Sequence, residues 1–210
     1  MPASPKLLID GPKDAPWTIA LAHGAGAPMD SPFMSIMAQG LAKRGYRVAR
    51  FEFPYMAARR TGGRRGAPDR EPVLRETWLA VVESLGRERL IIGGKSMGGR
   101  IASMVADEAA VAGLVCLGYP FHPVGKPTQL RVKHLEELKT PTLILQGERD
   151  PFGGRDDVAT YKLSRAIRVH WLTDGDHSFK PRKSSGVTEA QNLETAIAEI
   201  DKFARSLASS

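Results

Sequence analysis

The sequence predicts a three-layer α/β fold, with a mostly parallel central sheet of about six to seven strands, helices on both faces and no large cap domain. Two observations predict it. Short, near-continuous apolar runs alternate along the chain with longer segments whose apolar residues recur at three and four positions. The 210 residues, 42% of them hydrophobic, suffice for one such sheet and its core, and no internal repeat or low-complexity linker divides them. A single domain spanning residues 1–210 is therefore expected.

In order along the chain, residues 17–22 read as a short strand that runs into the loop His23-Gly24-Ala25-Gly26-Ala27. Residues 32–43 carry helical spacing through Phe33, Ile36, Met37 and Leu41, and 46–53 are strand-like. A glycine- and arginine-rich loop follows, then a helix over about 72–85 with Leu74, Trp78, Val81 and Val82 on one face. Residues 90–93 form a strand, 97–108 a helix and 113–117 a strand. The stretch 119–140, about 20 residues, is irregular and too short for a cap, though long enough for a small lid. Residues 142–146 form a strand, 156–167 hold a helix and 168–172 a strand. The last helix runs from about 188 to 207, with Thr188 as its cap and Leu193, Ile197, Ile200, Ala204 and Leu207 along one face. Both ends read as loose tails.

Composition narrows the function classes. No apolar run approaches the ~20 residues of a membrane helix, and the N-terminus lacks the apolar core of a secretory signal. The single cysteine, Cys116, excludes an intrachain disulfide and sits in an apolar run, which reads as a buried, inert thiol. A cytoplasmic protein that does not engage membranes is expected. The net charge of +7 is partly local, in Arg59, Arg60, Arg64, Arg65 and Arg70. Glycines and a proline interrupt that stretch and no aromatic residues are interleaved, which argues for a solvated loop and against a nucleic-acid partner.

The segment Gly94-Lys95-Ser96-Met97-Gly98 reads Gly-x-Ser-x-Gly between a strand and a helix. A serine on so sharp a turn needs small neighbours two residues away on either side, and the turn aims helix-start amides at the reacting oxygen. A phosphate-binding loop ending in Gly94-Lys95-Ser96 is excluded, because it requires glycine where Arg89 stands. A serine nucleophile needs a base, and the base an orienting acid. Functional groups in a parallel sheet gather at the carboxyl ends of strands. Asp150 follows the 142–146 strand and His177 the 168–172 strand, so Ser96, Asp150 and His177 converge above one sheet edge. Asp150 is preferred to Glu148, Asp174 and Asp176 because of its place in the loop. Asp176 adjoins His177 and would need an unusual turn to reach the far ring nitrogen. The Met97 amide and that of Ala25 or Gly26 are the candidate oxyanion donors. Lys95 and His122 are possible substrate-binding residues, each with an equal case for simple packing. His23 reads as a structural hydrogen-bonding residue, His134 and His170 carry no role, and Arg100 pairs with an acidic group of the fold. No His/Cys/Asp cluster has metal-ligand spacing.

Five segments carry a family resemblance: His23-Gly24-Ala25-Gly26-Ala27, Gly93 to Arg100, Gly118-Tyr119-Pro120-Phe121-His122-Pro123, Gln146 to Asp150 and Gly175-Asp176-His177. In these the chain resembles small cap-less α/β-hydrolases related in plan to dienelactone hydrolases. It is most similar to the hydrolase-like domain also found in a subunit of a chromatin acetyltransferase complex. The resemblance covers essentially the whole chain. It implies an α/β-hydrolase fold, a Ser96-His177-Asp150 triad and no metal or organic cofactor. Dienelactone hydrolases carry a cysteine nucleophile where this chain has Ser96. The expected activity is that of a carboxylesterase-like serine hydrolase acting on a small-molecule ester or thioester. The reading from another class is a non-catalytic binding or scaffold protein built on the same fold. Monomer and dimer are both compatible with the sequence.

Overall fold

In a computed structural model, which describes residues 5–62 and 66–208, seven strands form one sheet in the order β1-β3-β2-β4-β5-β6-β7. They are β1 (Leu8–Asp10), β2 (Thr18–Ala22), β3 (Arg47–Phe51), β4 (Leu90–Lys95), β5 (Gly113–Leu117), β6 (Thr142–Gly147) and β7 (Ile167–Leu172). Every neighbouring pair is parallel except β1 with β3. The helices are α1 (Pro32–Ala42), α2 (Pro54–Arg60), α3 (Glu71–Leu85), α4 (Met97–Ala109), α5 (Arg155–Val158) and α6 (Glu189–Leu207).

The near-continuous apolar strands follow from burial on both faces. In β2, Ile19 and Leu21 enter one core while Ala20 and Ala22 enter the other, and β5 divides Val115 and Leu117 from Leu114 and Cys116 in the same way. One core lies under α3 and α4, with Trp78, Val81, Ile101 and Val105; the other lies under α1 and α6, with Met37, Leu41, Ile197 and Ile200. Cys116 is 1% exposed, and burial pushes its thiol pKa up, which keeps it protonated. Thr188 caps α6 as expected: its Oγ1 accepts from the Gln191 amide at 3.2 Å, and Gln191 Oε1 accepts from the Thr188 amide at 2.8 Å.

Three expectations need correction. The N-terminal segment is no loose tail, because Leu8–Asp10 pairs antiparallel with β3. The chain after β3 does not enter a loop at once but forms α2, with Pro54 in its first turn and the Tyr55 amide donating to Asp69 Oδ2 at 2.8 Å. The helix expected over 156–167 is the single turn α5. Farther on, the Ser164 amide donates to Leu135 O at 2.9 Å and its hydroxyl to Leu138 O at 2.6 Å, so these groups serve the 133–138 segment instead of a helix. Arg64 and Arg65 of the basic stretch lie outside the described residues.

Candidate active site

Steric limits build the turn after β4. Ser96 adopts φ 50°, ψ −116°, a conformation L-residues avoid, and Gly94 adopts φ 149°. A Cβ on Gly94 would stand 2.1 Å from Ala22 O, and one on Gly98 2.6 Å from the carbonyls of Ala22 and His23. The two glycines let β4 and α4 close onto β2, and that closure holds Ser96 in its strained position. Trp78 Nε1 donates to Gly98 O at 3.3 Å and braces the turn from the core.

Asp150 and His177 meet Ser96 across two strand ends. His177 Nε2 lies 2.9 Å from Ser96 Oγ, and Nδ1 lies 2.8 Å from Asp150 Oδ2. The Asp150 side chain is fully buried, and its carboxylate also accepts from Gln146 Nε2 at 3.0 Å and the Phe152 amide at 2.9 Å. An acceptor-only carboxylate puts the proton of a neutral imidazole on Nδ1 and leaves Nε2 as acceptor toward Ser96. The Phe152 ring lies on the imidazole, with centroids 4.3 Å apart. The other acids do different work. Glu148 accepts from the Asp174 amide and pairs with Arg155. Asp176 accepts from the Ser178 and Lys180 amides, and Asp174 binds Arg149 and Arg182. Arg182 holds the Asp174 carboxyl down to about 2. With Asn192 Nδ2 donating to Thr173 O and Phe179 O, these contacts tie down the loop that carries His177.

The loop after β2 lies beside Ser96 and lines one cavity with it. No described residue accepts a hydrogen bond from the Ala25, Gly26 or Met97 amide. The carbonyls on the far side of the two loop peptides are held. Phe53 N–H donates to His23 Nε2 at 3.2 Å, so His23 Nδ1 carries the proton and donates to Gly24 O at 2.6 Å. The Tyr55 hydroxyl donates to Ala25 O at 2.9 Å. In a trans peptide the N–H points opposite to its own C=O. Pinning Gly24 O therefore aims the Ala25 N–H, and pinning Ala25 O aims that of Gly26. Burial lowers the His23 pKa and raises that of Tyr55 to about 12, so one stays neutral and the other stays a donor. In the sequence Tyr55 is one of several aromatics near loop positions above the sheet, and its bond to Ala25 O leaves no local signal because it joins separate segments. Farther along this loop, Glu52 Oε1 accepts from the Met29 amide at 3.3 Å and Arg50 donates to Met29 O at 2.9 Å.

A cavity of about 380 Å³ opens over Ser96 and His177, walled by Ala27, Pro32, Phe33, Met34 and Phe152. Lys95 lines it, but its ammonium turns toward the His177 carbonyl. Of the two roles the sequence allowed His122, its surroundings match packing: it is absent from the lining. It is 5% exposed, its Nδ1 contacts Pro123 O at 2.9 Å, and its amide donates to Phe152 O at 3.2 Å, so it lies behind the wall. His134, given no role by the sequence, makes structural contacts. It meets Ser103 Oγ at 2.8 Å and Tyr119 Oη at 3.3 Å, joining the 119–140 segment to α4. Arg100 lies 3.6 Å from Glu71, the acidic pairing expected of it. Among the described residues, no helix is long and apolar enough to cross a membrane.

Residues 15–205 match the sequence profile of the alpha/beta hydrolase domain family. The chain belongs to this family. Solved structures similar to this alpha/beta hydrolase include a serine hydrolase without a lid from Xanthomonas campestris, 17% identical, with TM-score 0.70 over 98% of this chain and 96% of that one. Dienelactone hydrolase from Anabaena variabilis is 20% identical, with TM-score 0.71 over 95% and 90% of the two chains. The ferulic-acid-bound Est1E of Butyrivibrio proteoclasticus is 14% identical, with TM-score 0.72 over 98% and 96%. At these identities the likeness is one of fold. It agrees with the seven-stranded, mostly parallel sheet of this hydrolase.

Proposed function

We propose that the protein, acting as one domain over residues 1–210, is a serine hydrolase that cleaves carboxylic esters or thioesters through an acyl-enzyme. The observation that carries this reading is the unbroken chain Asp150–His177–Ser96, with contacts of 2.8 and 2.9 Å at the floor of an apolar cavity. His177 Nε2 takes the Ser96 proton as Oγ bonds to the substrate carbonyl carbon. The charge that develops on the carbonyl oxygen is met by the Met97 amide and that of Ala25 or Gly26. His177 then gives its proton to the departing alcohol or thiol, and the bond to the leaving group breaks. Water, deprotonated by His177, attacks the acyl carbon; the bond to Ser96 Oγ breaks, His177 returns the proton to Oγ, and the acid leaves. Asp150 holds the imidazole in its Nδ1–H tautomer and stabilises the charged ring in both halves. The walls of Phe33, Pro32 and Phe152 suit an apolar acyl or aryl group entering from solvent.

Fluorophosphonate labelling of the intact protein, read by mass, tests the reading. One stoichiometric adduct is expected on the wild type and none on Ser96→Ala or His177→Ala. Ser96→Ala should also lose on the order of 10⁴-fold or more in kcat toward p-nitrophenyl acetate. A folded wild type that takes no adduct would favour a binding protein on this fold.

A further inference from the structure

Lys95 ends β4 immediately before Ser96, yet its ammonium turns to the main chain of His177. Its Nζ donates to the main-chain carbonyl of His177 at 2.5 Å. The ammonium also lies 5.4 Å from the centroid of the Phe33 ring and 6.0 Å from that of Phe179, and the two rings pack edge to face at 5.3 Å. The neighbouring strand makes room for this contact. Lys95 pairs with Leu117, and the next residue, Gly118, has φ 67°. A Cβ there would fall 2.9 Å from Lys95 Nζ, 2.9 Å from His177 O and 3.2 Å from His177 Nδ1. No carboxylate of the described residues forms an ion pair with Lys95. The acidic groups that face it, Asp150 after β6 and Asp176 beside the base, act at longer range, while β5 and α1 bring no acid to it. A half-buried cation without an ion-pair partner gives up part of its hydration, so its hydrogen bond to the His177 carbonyl needs an explanation.

We propose that Lys95 is a positioning residue: its ammonium grips the backbone of His177 from beneath and keeps the imidazole in line between Asp150 and Ser96. The inference rests on the serine-hydrolase reading. The alkyl stem, which methionine would retain, packs beside Gly24, whereas the ammonium is taken up by the His177 carbonyl. Lys95→Met should therefore lower kcat toward p-nitrophenyl acetate roughly 10- to 100-fold, the penalty for a small misplacement, with little change in KM. Burial holds the Lys95 pKa down at about 8, with Asp150 and Asp176 opposing the drop. The charged grip is present below that value and lost as pH rises through it. Wild-type kcat should then fall above about pH 8 in a step that Lys95→Met lacks, a signature that loss of packing alone would not produce.

The experiment is kcat, KM and fluorophosphonate labelling from pH 6 to 10 for both proteins. Lower kcat at constant KM in Lys95→Met, with the alkaline step confined to the wild type, supports the proposal. Wild-type kcat in Lys95→Met, or a matching alkaline step in both, overturns it while labelling of the wild type leaves the hydrolase reading standing. If Lys95→Met does not fold, a wild-type profile without the alkaline step overturns it on its own. A wild type that never labels overturns both.

Discussion

Replacing Asp150 by asparagine changes one atom and, by the geometry of its neighbours, the tautomer of His177, the proposed base. Oδ1 of Asp150 accepts from the Phe152 amide at 2.9 Å, while Oδ2 accepts from His177 Nδ1 at 2.8 Å and from Gln146 Nε2 at 3.0 Å. An asparagine can keep its oxygen at only one of these places. With nitrogen beside Phe152, a backbone N–H faces an NH₂ group and has no escape. With nitrogen beside His177, both neighbours can adjust. Gln146 Nε2 still has Tyr119 O at 3.1 Å and Gly153 O at 3.0 Å. The imidazole can move its proton to Nε2 and accept at Nδ1. The second arrangement should prevail, and in it Nε2 cannot take the Ser96 proton. The expected loss is on the order of 10⁴ in kcat, or about 5.5 kcal/mol at about 1.36 kcal/mol per tenfold. Folding stability should change by no more than about 1–3 kcal/mol, the range for one disturbed buried hydrogen bond. Hydrolysis of p-nitrophenyl acetate at saturation gives kcat, and the urea midpoint shows whether the variant is folded. A folded Asp150→Asn protein within tenfold of wild-type kcat would refute the reasoning.

Other parts of the molecule give equally direct tests. Gly94→Ala drives a methyl to 2.1 Å from Ala22 O at φ 149° and should destabilise by about 3 kcal/mol or more in urea unfolding, with activity lost alongside. Tyr55→Phe frees the Ala25 carbonyl; kcat should fall roughly tenfold at constant KM, with about 1 kcal/mol of stability lost. An unchanged kcat would remove the Gly26 amide from the oxyanion site. Asp174 has its folded pKa depressed to about 2 by Arg182, so the pair stabilises fully above the ordinary carboxylate range and less as pH falls through it toward 2. Thermal unfolding of Arg182→Met from pH 2 to 5 should show a shallower acid dependence than the wild type; identical slopes would mean that Arg149 alone sustains the shift.

What was legible in the sequence was what short-range sterics and periodicity encode. Gly94, Ser96 and Gly98 announce the turn because the backbone contacts that forbid a Cβ arise wherever a strand closes into a helix at that angle. The two apolar faces of β2 and β5 announce a covered sheet. Elements whose boundaries are set by partners far along the chain were harder. The helix overextended to 167 has suitable apolar spacing, but Ser164 bonds to Leu135 and Leu138. β1 spans only Leu8–Asp10, too few residues for a period to show, and exists through its pairing with β3. Arginines and glycines obscured α2, although Pro54 is a usable start signal. For His122 the letters left substrate contact and packing even, because the bond from its amide to the Phe152 carbonyl joins segments far apart in the chain.

The same division runs through the site. Ser96, Asp150 and His177 stand out as letters at strand ends, whereas the groups that aim them are ordinary residues with one well-placed atom. Gln146 is the sharpest case. Its amide spans Tyr119 N and O, Gly153 O and Asp150 Oδ2, joining the loops after β5 and β6 to the acid, yet in the sequence it is only the last polar letter of an apolar strand. Tyr55 and His23 act likewise on the amides of Gly26 and Ala25 through the carbonyls behind them. Their effects are geometric, so they should appear as lost kcat in a protein that still folds, binds and slowly labels. Variants at Ser96 or His177 should lose labelling altogether. That contrast separates groups that react from groups that hold them, and it can be measured with one probe on one set of variants.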